Sequence, residues 1–194
     1  MDRIELSIKL KELGAINEPK IHLEQYSTDI STAVNFLLVV DSFGCLKGKK
    51  IADFGCGNGI LGIGAALLGA GTVDMYDIDK RMVELANSNV EKINIANCKA
   101  YRKDFFDVTD RYDTIISNPP FGFQSTFRIR AFITKLKDSA TPFFFIYKLN
   151  REIQNIAREN ELSVYELGEL WIPNIASFHR KDKVRLPACI LYKV

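Results

Sequence analysis

Between Lys50 and Tyr147 short apolar runs alternate with helix-patterned stretches, and this alternation restricts the architectures open to the chain. Lys50–Phe54, Thr72–Tyr76, Cys98–Tyr101, Thr114–Ser117 and Phe143–Tyr147 read as strands, and Gly59–Leu68, Lys80–Ile95, Ile129–Lys137 and Arg151–Asn160 as helices. Such an order predicts an α/β fold, a mostly parallel sheet covered by helices on both faces. Ligands of such sheets bind outside the carboxyl ends of the strands, near the point where the strand order reverses. The loops after the first, second and fourth strands are therefore where chemistry is expected. Upstream, a polar-apolar helical pattern through Ile4, Leu6, Ile8, Leu10 and Leu13 stops at Gly14, and a second helix is expected from about Thr28 to Phe43, capped by Ser27, Thr28 or Asp29. Downstream, Val164–Trp171 and Ala188–Lys193 have no helix between them, which predicts an antiparallel hairpin at one side of the sheet. At 194 residues the chain is expected to form a single domain, with a helical segment over 1–45 and the sheet over 46–194.

Apolar residues make up 47% and charged residues 26%, which excludes a disordered tail, a collagen-like fibre or a disulfide mini-protein. No apolar run approaches a membrane span, and no secretory signal pattern opens the sequence. Cys45, Cys56, Cys98 and Cys189 are scattered without C-x-x-C spacing, so buried reduced thiols, no metal site and a cytoplasmic protein are expected. Residues 1–122 hold 14 basic and 17 acidic side chains, whereas residues 123–194 hold 12 and 7. That positive bias suits a polyanionic partner.

The first strand runs into Asp53-Phe54-Gly55-Cys56-Gly57-Asn58-Gly59. Alternate glycines remove side chains where a backbone meets a ligand closely, although a tight strand-helix turn without ligand can look the same. The acids that follow narrow the choice. Asp77 lies 22 residues after Gly55, the spacing at which an acid at a strand end accepts hydrogen bonds from ribose hydroxyls. Asp104 follows the third strand. Three successive strand ends thus carry Asp53, Asp77 and Asp104. A nucleoside with an amino-acid tail suits the set: Asp53 for an ammonium, Asp77 for a ribose diol, Asp104 for an adenine amine. Pyrophosphate suits it less, because the acids oppose the help of a helix N-terminus. S-adenosylmethionine has no phosphate, and its sulfur is positive.

After the fourth strand comes Ser117-Asn118-Pro119-Pro120-Phe121-Gly122. An amine conjugated to a ring or carbonyl is a poor nucleophile, because its lone pair is delocalised. The Asn118 oxygen can accept one amine hydrogen and the Pro119 carbonyl the other, while Pro119 and Pro120 restrict the backbone. Phe121 offers a flat face for a planar substrate. Orientation of this kind lowers a barrier by several kcal/mol, with upper values of about 7–11 kcal/mol. Adenine N6, guanine N2 and the glutamine amide all suit the tetrapeptide, and phenylalanine at its fourth position leans toward a nucleobase. A rigid turn followed by a core phenylalanine is the plain structural alternative.

With these motifs, residues 50–150 resemble the class I S-adenosylmethionine-dependent methyltransferases. The resemblance implies a Rossmann-like seven-stranded sheet of order 3-2-1-4-5-7-6 with the last strand antiparallel. Leu23-Glu24-Gln25-Tyr26-Ser27-Thr28, Leu68-Gly69-Ala70-Gly71, Asp77-Ile78-Asp79, the Asn118–Gly122 motif and Phe178-His179-Arg180-Lys181 follow one another as in the methyltransferase-like protein five family. Its archaeal and eukaryotic members install N6-methyladenosine in small-subunit ribosomal RNA. The resemblance covers the chain from about Leu10 to the end. It implies that residues 1–45 close over the cofactor through Gln25 and Thr28. Gly55, Asn58 and Ile60, with Gly57 of the same loop, would line its methionine part. Asp77 would hold the ribose and Asp104 with Phe105 the adenine, and Asn118, Pro119, Pro120 and Phe121 would form the amine site.

The loop after this motif departs from the family, which has an aspartate where this chain has Ile129, between Arg128 and Arg130. Phe123, Phe127, Arg128 and Arg130 are expected to form a stacking and phosphate-contact lip for a splayed RNA base, or else a packed loop with two solvated arginines. His179, Arg180, Lys181 and Lys183 are expected to track an RNA backbone, or to form a solvated hairpin loop. The resemblance also implies a small zinc-binding activator pairing along the sheet edge at Cys98–Tyr101. The expected activity is methyl transfer to adenine N6 in RNA. A guanine-N2 or protein-glutamine methyltransferase stands beside it, as does a catalytically weakened RNA-binding module. A nicotinamide-dependent oxidoreductase would leave Asn118–Phe121 unexplained.

Overall fold

Seven strands form one sheet: β1 (Lys50–Phe54), β2 (Thr72–Asp77), β3 (Cys98–Arg102), β4 (Thr114–Ser117), β5 (Phe143–Lys148), β6 (Ser163–Pro173) and β7 (Lys183–Lys193). Their order is β3-β2-β1-β4-β5-β7-β6. β1 to β5 pair in parallel, and β7 runs antiparallel to both β5 and β6. The helices are α1 (Arg3–Lys11), α2 (Ile30–Ser42), α3 (Ile60–Leu67), α4 (Lys80–Ile93), α5 (Ile129–Ser139) and α6 (Arg151–Glu159). The computed structural model describes residues 1–123, 125–173 and 183–194.

The central strands are apolar on both faces because helices cover both. All four residues of β4 are buried, as are Phe143 to Tyr147 of β5. Helix starts follow the capping residues. Asp2 forms a capping box with Glu5 at α1, Asp29 accepts from Thr32 N at α2, and Asp79 accepts from Arg81 N at α4. Asp29 is thus the cap among the three that the sequence offers, and α2 begins after it at Ile30 rather than at about Thr28.

The strand order reverses at β1, whose neighbours are β2 and β4. This leaves a crevice above the carboxyl ends of β1, β2 and β4. The closing hairpin is longer than its hydrophobic pattern. β7 starts at Lys183 rather than Ala188, and its register with β6 shifts between Glu166 and Gly168. Only Ala188–Lys193 also pairs with β5. That portion is buried and apolar enough to read as a strand, whereas Lys183–Pro187 pairs on one side only. The four cysteines are buried and unpaired. Among the described residues, no helix is long and apolar enough to cross a membrane.

Candidate active site

The loop from β1 to α3 turns through three left-handed glycines, Gly55 (φ 72°), Gly57 (φ 54°) and Gly59 (φ 84°). It bends back onto β2: Gly55 N and Cys56 N both donate to the Tyr76 carbonyl, at 2.9 and 3.0 Å. A side chain on Gly55 would meet nothing within 4 Å, so this backbone borders open space. Asp77 accepts from Gly57 N at 3.0 Å and from Asp79 N at 2.9 Å, which locks its carboxylate at the crevice wall. Burial pushes the Asp77 carboxyl above its ordinary pKa, against the backbone N–H groups of Asp79 and Gly57.

Asp53 is almost wholly buried, at 1% exposure. One oxygen accepts from Gly62 N at 2.8 Å. A Cβ on Gly62 would stand 2.6 Å from Met75, so only glycine lets α3 come this close. Burial pushes the Asp53 pKa up to about 7; the Gly62 N–H opposes the shift and the Asp77 charge adds to it.

The segment between α1 and α2 lies across this loop. Asn58 Nδ2 donates to the Gly14 carbonyl at 3.0 Å, and Asn89 bridges Gly14 N and the Asn58 carbonyl. Gln25 donates from Nε2 to Asp79 at 2.8 Å and accepts from Lys20 N at 2.9 Å. Burial works against the Asp79 charge, but Gln25, Lys20 and Arg81 N together hold its carboxyl well below the ordinary range. Thr28 accepts from Asn118 Nδ2 at 2.8 Å.

Among the described residues, three buried side-chain polar atoms have no hydrogen-bond partner: Tyr26 Oη, Asp53 Oδ1 and Asn118 Oδ1. Their residues all line one small cavity of about 30 Å³, together with Thr28, Asn58 and Ile60. Beside it lies a cavity of about 570 Å³, and Tyr26, Gly55, Gly57 and Asn118 border both. A buried polar group without a partner costs about 1–3 kcal/mol, so three converging on one space mark a place where a ligand supplies the partners. The larger cavity is also lined by Ile78, Asp104, Phe105 and Phe106. Asp104 accepts from Phe106 N at 2.9 Å, capping the short 3-10 turn Phe105–Asp107, and Phe105 stacks on Phe54. The donor set fits S-adenosylmethionine: a lone carboxylate oxygen for an ammonium, a fixed carboxylate for a diol, and apolar plates for a flat ring.

The structure thus brings Gln25, Thr28, Asp53, Gly55, Gly57, Asn58, Ile60, Asp77, Asp104, Phe105 and Asn118 around one crevice. Pro120, Phe127 and Arg128 line its larger cavity. Other expected residues stand elsewhere. Phe121 is not an open stacking face: it is 1% exposed, with Tyr26, Phe123 and Tyr147 edge-on to its ring. Pro119 is buried. Arg130 does not line the crevice; it pairs with Glu159 of α6, because α5 turns it toward that neighbour. Phe123 is exposed beside Phe121. His179, Arg180 and Lys181 lie outside the described residues, and Lys183 is described only as the first residue of β7. Sequence reasoning did not assign Glu24, Tyr26, Ile78 or Phe106 to the site. For Ile78 a signal existed, an apolar residue between two acids at a strand end; for the others only the fold brings them in.

Residues 26–141 match the methyltransferase small domain. The chain is 31% identical over 191 residues, 93% of its length and 92% of the relative's, to the rRNA N(6)-adenosine-methyltransferase METTL5 of Danio rerio. The chain belongs to the methyltransferase-like protein five family. It is an S-adenosylmethionine-dependent N-methyltransferase, with the cofactor that the crevice fits. An uncharacterised Methanocaldococcus jannaschii protein is 30% identical over 95% of this chain and 90% of its own. The crystal structure of a Pyrococcus horikoshii protein described as a candidate RNA methyltransferase superposes with a TM-score of 0.88 at 32% identity, covering 100% of this chain and 98% of that one.

Proposed function

We propose that this member of the methyltransferase-like protein five family methylates the exocyclic N6 of an adenine in RNA, with small-subunit ribosomal RNA as its substrate. The observation that carries this reading is Asn118: its amide nitrogen is tied to Thr28, and its oxygen is buried without a partner at the junction of the two cavities. S-adenosylmethionine, when bound, supplies a methyl group on a positive sulfur. The Asn118 oxygen accepts one hydrogen of the target amine and the Pro119 carbonyl the other, which turns the nitrogen lone pair toward that methyl. The amine proton then leaves to water, so no side-chain base is required.

Asp53 faces the cofactor ammonium, Asp77 holds the ribose, and Asp104 with Phe105 holds the adenine. Gly55, Gly57, Asn58 and Ile60 border the methionine part, and residues 1–45 close over it through Gln25 and Thr28. The flipped base enters past Phe127 and Arg128, with Phe123 at the rim. The basic residues His179, Arg180, Lys181 and Lys183 follow the RNA backbone. A small zinc-binding protein pairs along β3, at whose edge Tyr101 is exposed with Lys99 over its ring. The work is done in the cytoplasm.

Incubation with small ribosomal subunits and labelled cofactor, followed by nucleoside identification, is expected to yield N6-methyladenosine. Label in methylguanosine or in protein would assign one of the other amines. Cofactor binding with no transfer to any RNA would make the chain a binding module. A pull-down that returns only the chain, fully active alone, would remove the activator.

A further inference from the structure

Glu24 is a buried carboxylate, 5% exposed, on a left-handed residue with φ 51° and ψ 40°. Non-glycine residues in that region are strained and cluster where function over-determines the backbone. One oxygen, Oε2, accepts from Phe121 N at 2.7 Å. The other, Oε1, accepts from Ser125 N and from the Ser125 hydroxyl, each at 3.0 Å. Both oxygens face donors, which suits an ionised carboxylate and not an amide, whose NH2 would meet an N–H. On the opposite side of the same residue, the Phe121 carbonyl accepts from Lys148 Nζ at 2.8 Å and from Tyr147 Oη at 3.1 Å. The Lys148 ammonium also lies over the Phe123 ring, 4.3 Å from its centroid. The main chain of Phe121 is therefore held between a buried anion on its N–H side and a cation on its carbonyl side. These anchors come from the segment before α2 and from the carboxyl end of β5.

We propose that Glu24 and Lys148 are paired positioning residues, which fix the Asn118–Phe121 main chain for the target amine and join it to the segment that covers the cofactor. This rests on the proposed role of that tetrapeptide as the amine site. Neither residue touches the reacting atoms; both act through the peptide groups of Phe121. A charged group hydrogen-bonded to a peptide binds it more tightly than a neutral one does, so the pair restricts a loop that glycine and serine would otherwise leave loose. Because Glu24 adjoins Gln25 and Tyr26, displacement of that segment withdraws the clamp.

The test uses the full chain with Glu24→Gln, Lys148→Met, Lys148→Arg and the Glu24→Gln/Lys148→Met double variant. Amide hydrogen exchange by NMR is expected to quicken at least tenfold at Phe121 in both Glu24→Gln and Lys148→Met, and at Ser125 in Glu24→Gln, with β4 amides unchanged. Cofactor affinity by calorimetry is expected to stay within threefold. On ribosomal RNA, kcat is expected to fall at least tenfold in each single variant, and by less than the product of the two in the double variant. Lys148→Arg, which keeps the donor, is expected to stay within threefold of the parent. Unchanged exchange at Phe121, or fully multiplicative losses, overturns the proposal. If Glu24→Gln does not fold, Lys148→Met decides by the same readouts. Parent protein inactive on every RNA would sink the proposed substrate and leave the exchange result to judge the clamp.

Discussion

The Thr28 hydroxyl accepts a hydrogen bond from Asn118 Nδ2 at 2.8 Å, and that contact decides which end of the carboxamide faces the cavity. With the nitrogen engaged, the oxygen is left as a buried acceptor. Thr28→Val keeps the shape and removes the acceptor. The amide is then free to turn, and kcat on RNA is expected to fall about tenfold, the worth of one ordinary hydrogen bond. Cofactor dissociation constants should separate this from a binding defect, since an equal loss in affinity would argue that Thr28 acts on the cofactor alone.

Asn118→Ala removes the acceptor itself. Transfer is expected to drop by at least a factor of about 100, in the range seen when a positioned hydrogen-bonding group is lost from an active site. Calorimetry should show cofactor affinity changed by no more than a few-fold. Loss of binding without an effect on kcat at saturation would contradict the assignment.

Asp77→Ala predicts the converse. Its carboxylate is held by Gly57 N and Asp79 N beside the larger cavity. Removing hydrogen bonds to a charged group costs about 1.5–3 kcal/mol. The cofactor should bind on the order of a hundredfold more weakly, while kcat at saturating cofactor stays near that of the parent.

Asp53 makes cofactor binding depend on pH. In the folded free chain burial holds its pKa at about 7, whereas in the unfolded chain it titrates near about 4. Between these values the unfolded chain binds fewer protons, so this residue's contribution to stability falls as pH rises from about 4 to 7. An ammonium partner requires the ionised form, so cofactor affinity should rise over the same window, by about tenfold per unit well below pH 7 and less steeply as pH 7 is reached. Asp53→Asn is expected to flatten both slopes; calorimetry and thermal melting at several pH values measure them.

Gly62→Ala tests the close approach of α3. The added methyl would stand 2.6 Å from Met75 and crowd the carboxylate that Gly62 N supports. Overpacking of this kind costs about 1–3 kcal/mol. A melting temperature lowered by several degrees is expected, with weaker cofactor binding in step.

Much of the fold was legible because each strand is a short apolar run and each helix has a clear period. The order of the first five strands follows from those signals and from the class resemblance. Lys183–Pro187 was not legible as strand, since a stretch paired on one side needs no apolar pattern. Among the site residues, the three strand-end aspartates and Asn118 stood out by type and spacing. Phe121 did not keep the exposed role its type suggested, because Tyr26 and Tyr147 close around its ring. Glu24 gave no local sign of being buried, since nothing in its neighbours announces that Phe121 and Ser125 will lie against it.

The sequence by itself determined the layered α/β architecture, the glycine turn and the acids that end the strands, because periodicity, turn chemistry and spacing act over a few residues. Tertiary structure alone decided which polar atoms remain without partners, how the carboxamide of Asn118 is turned, and which residues brace its loop. Those outcomes depend on contacts across long separations, such as Glu24 to Phe121 and Thr28 to Asn118. Burial and hydrogen bonding are settled only when the whole core has closed.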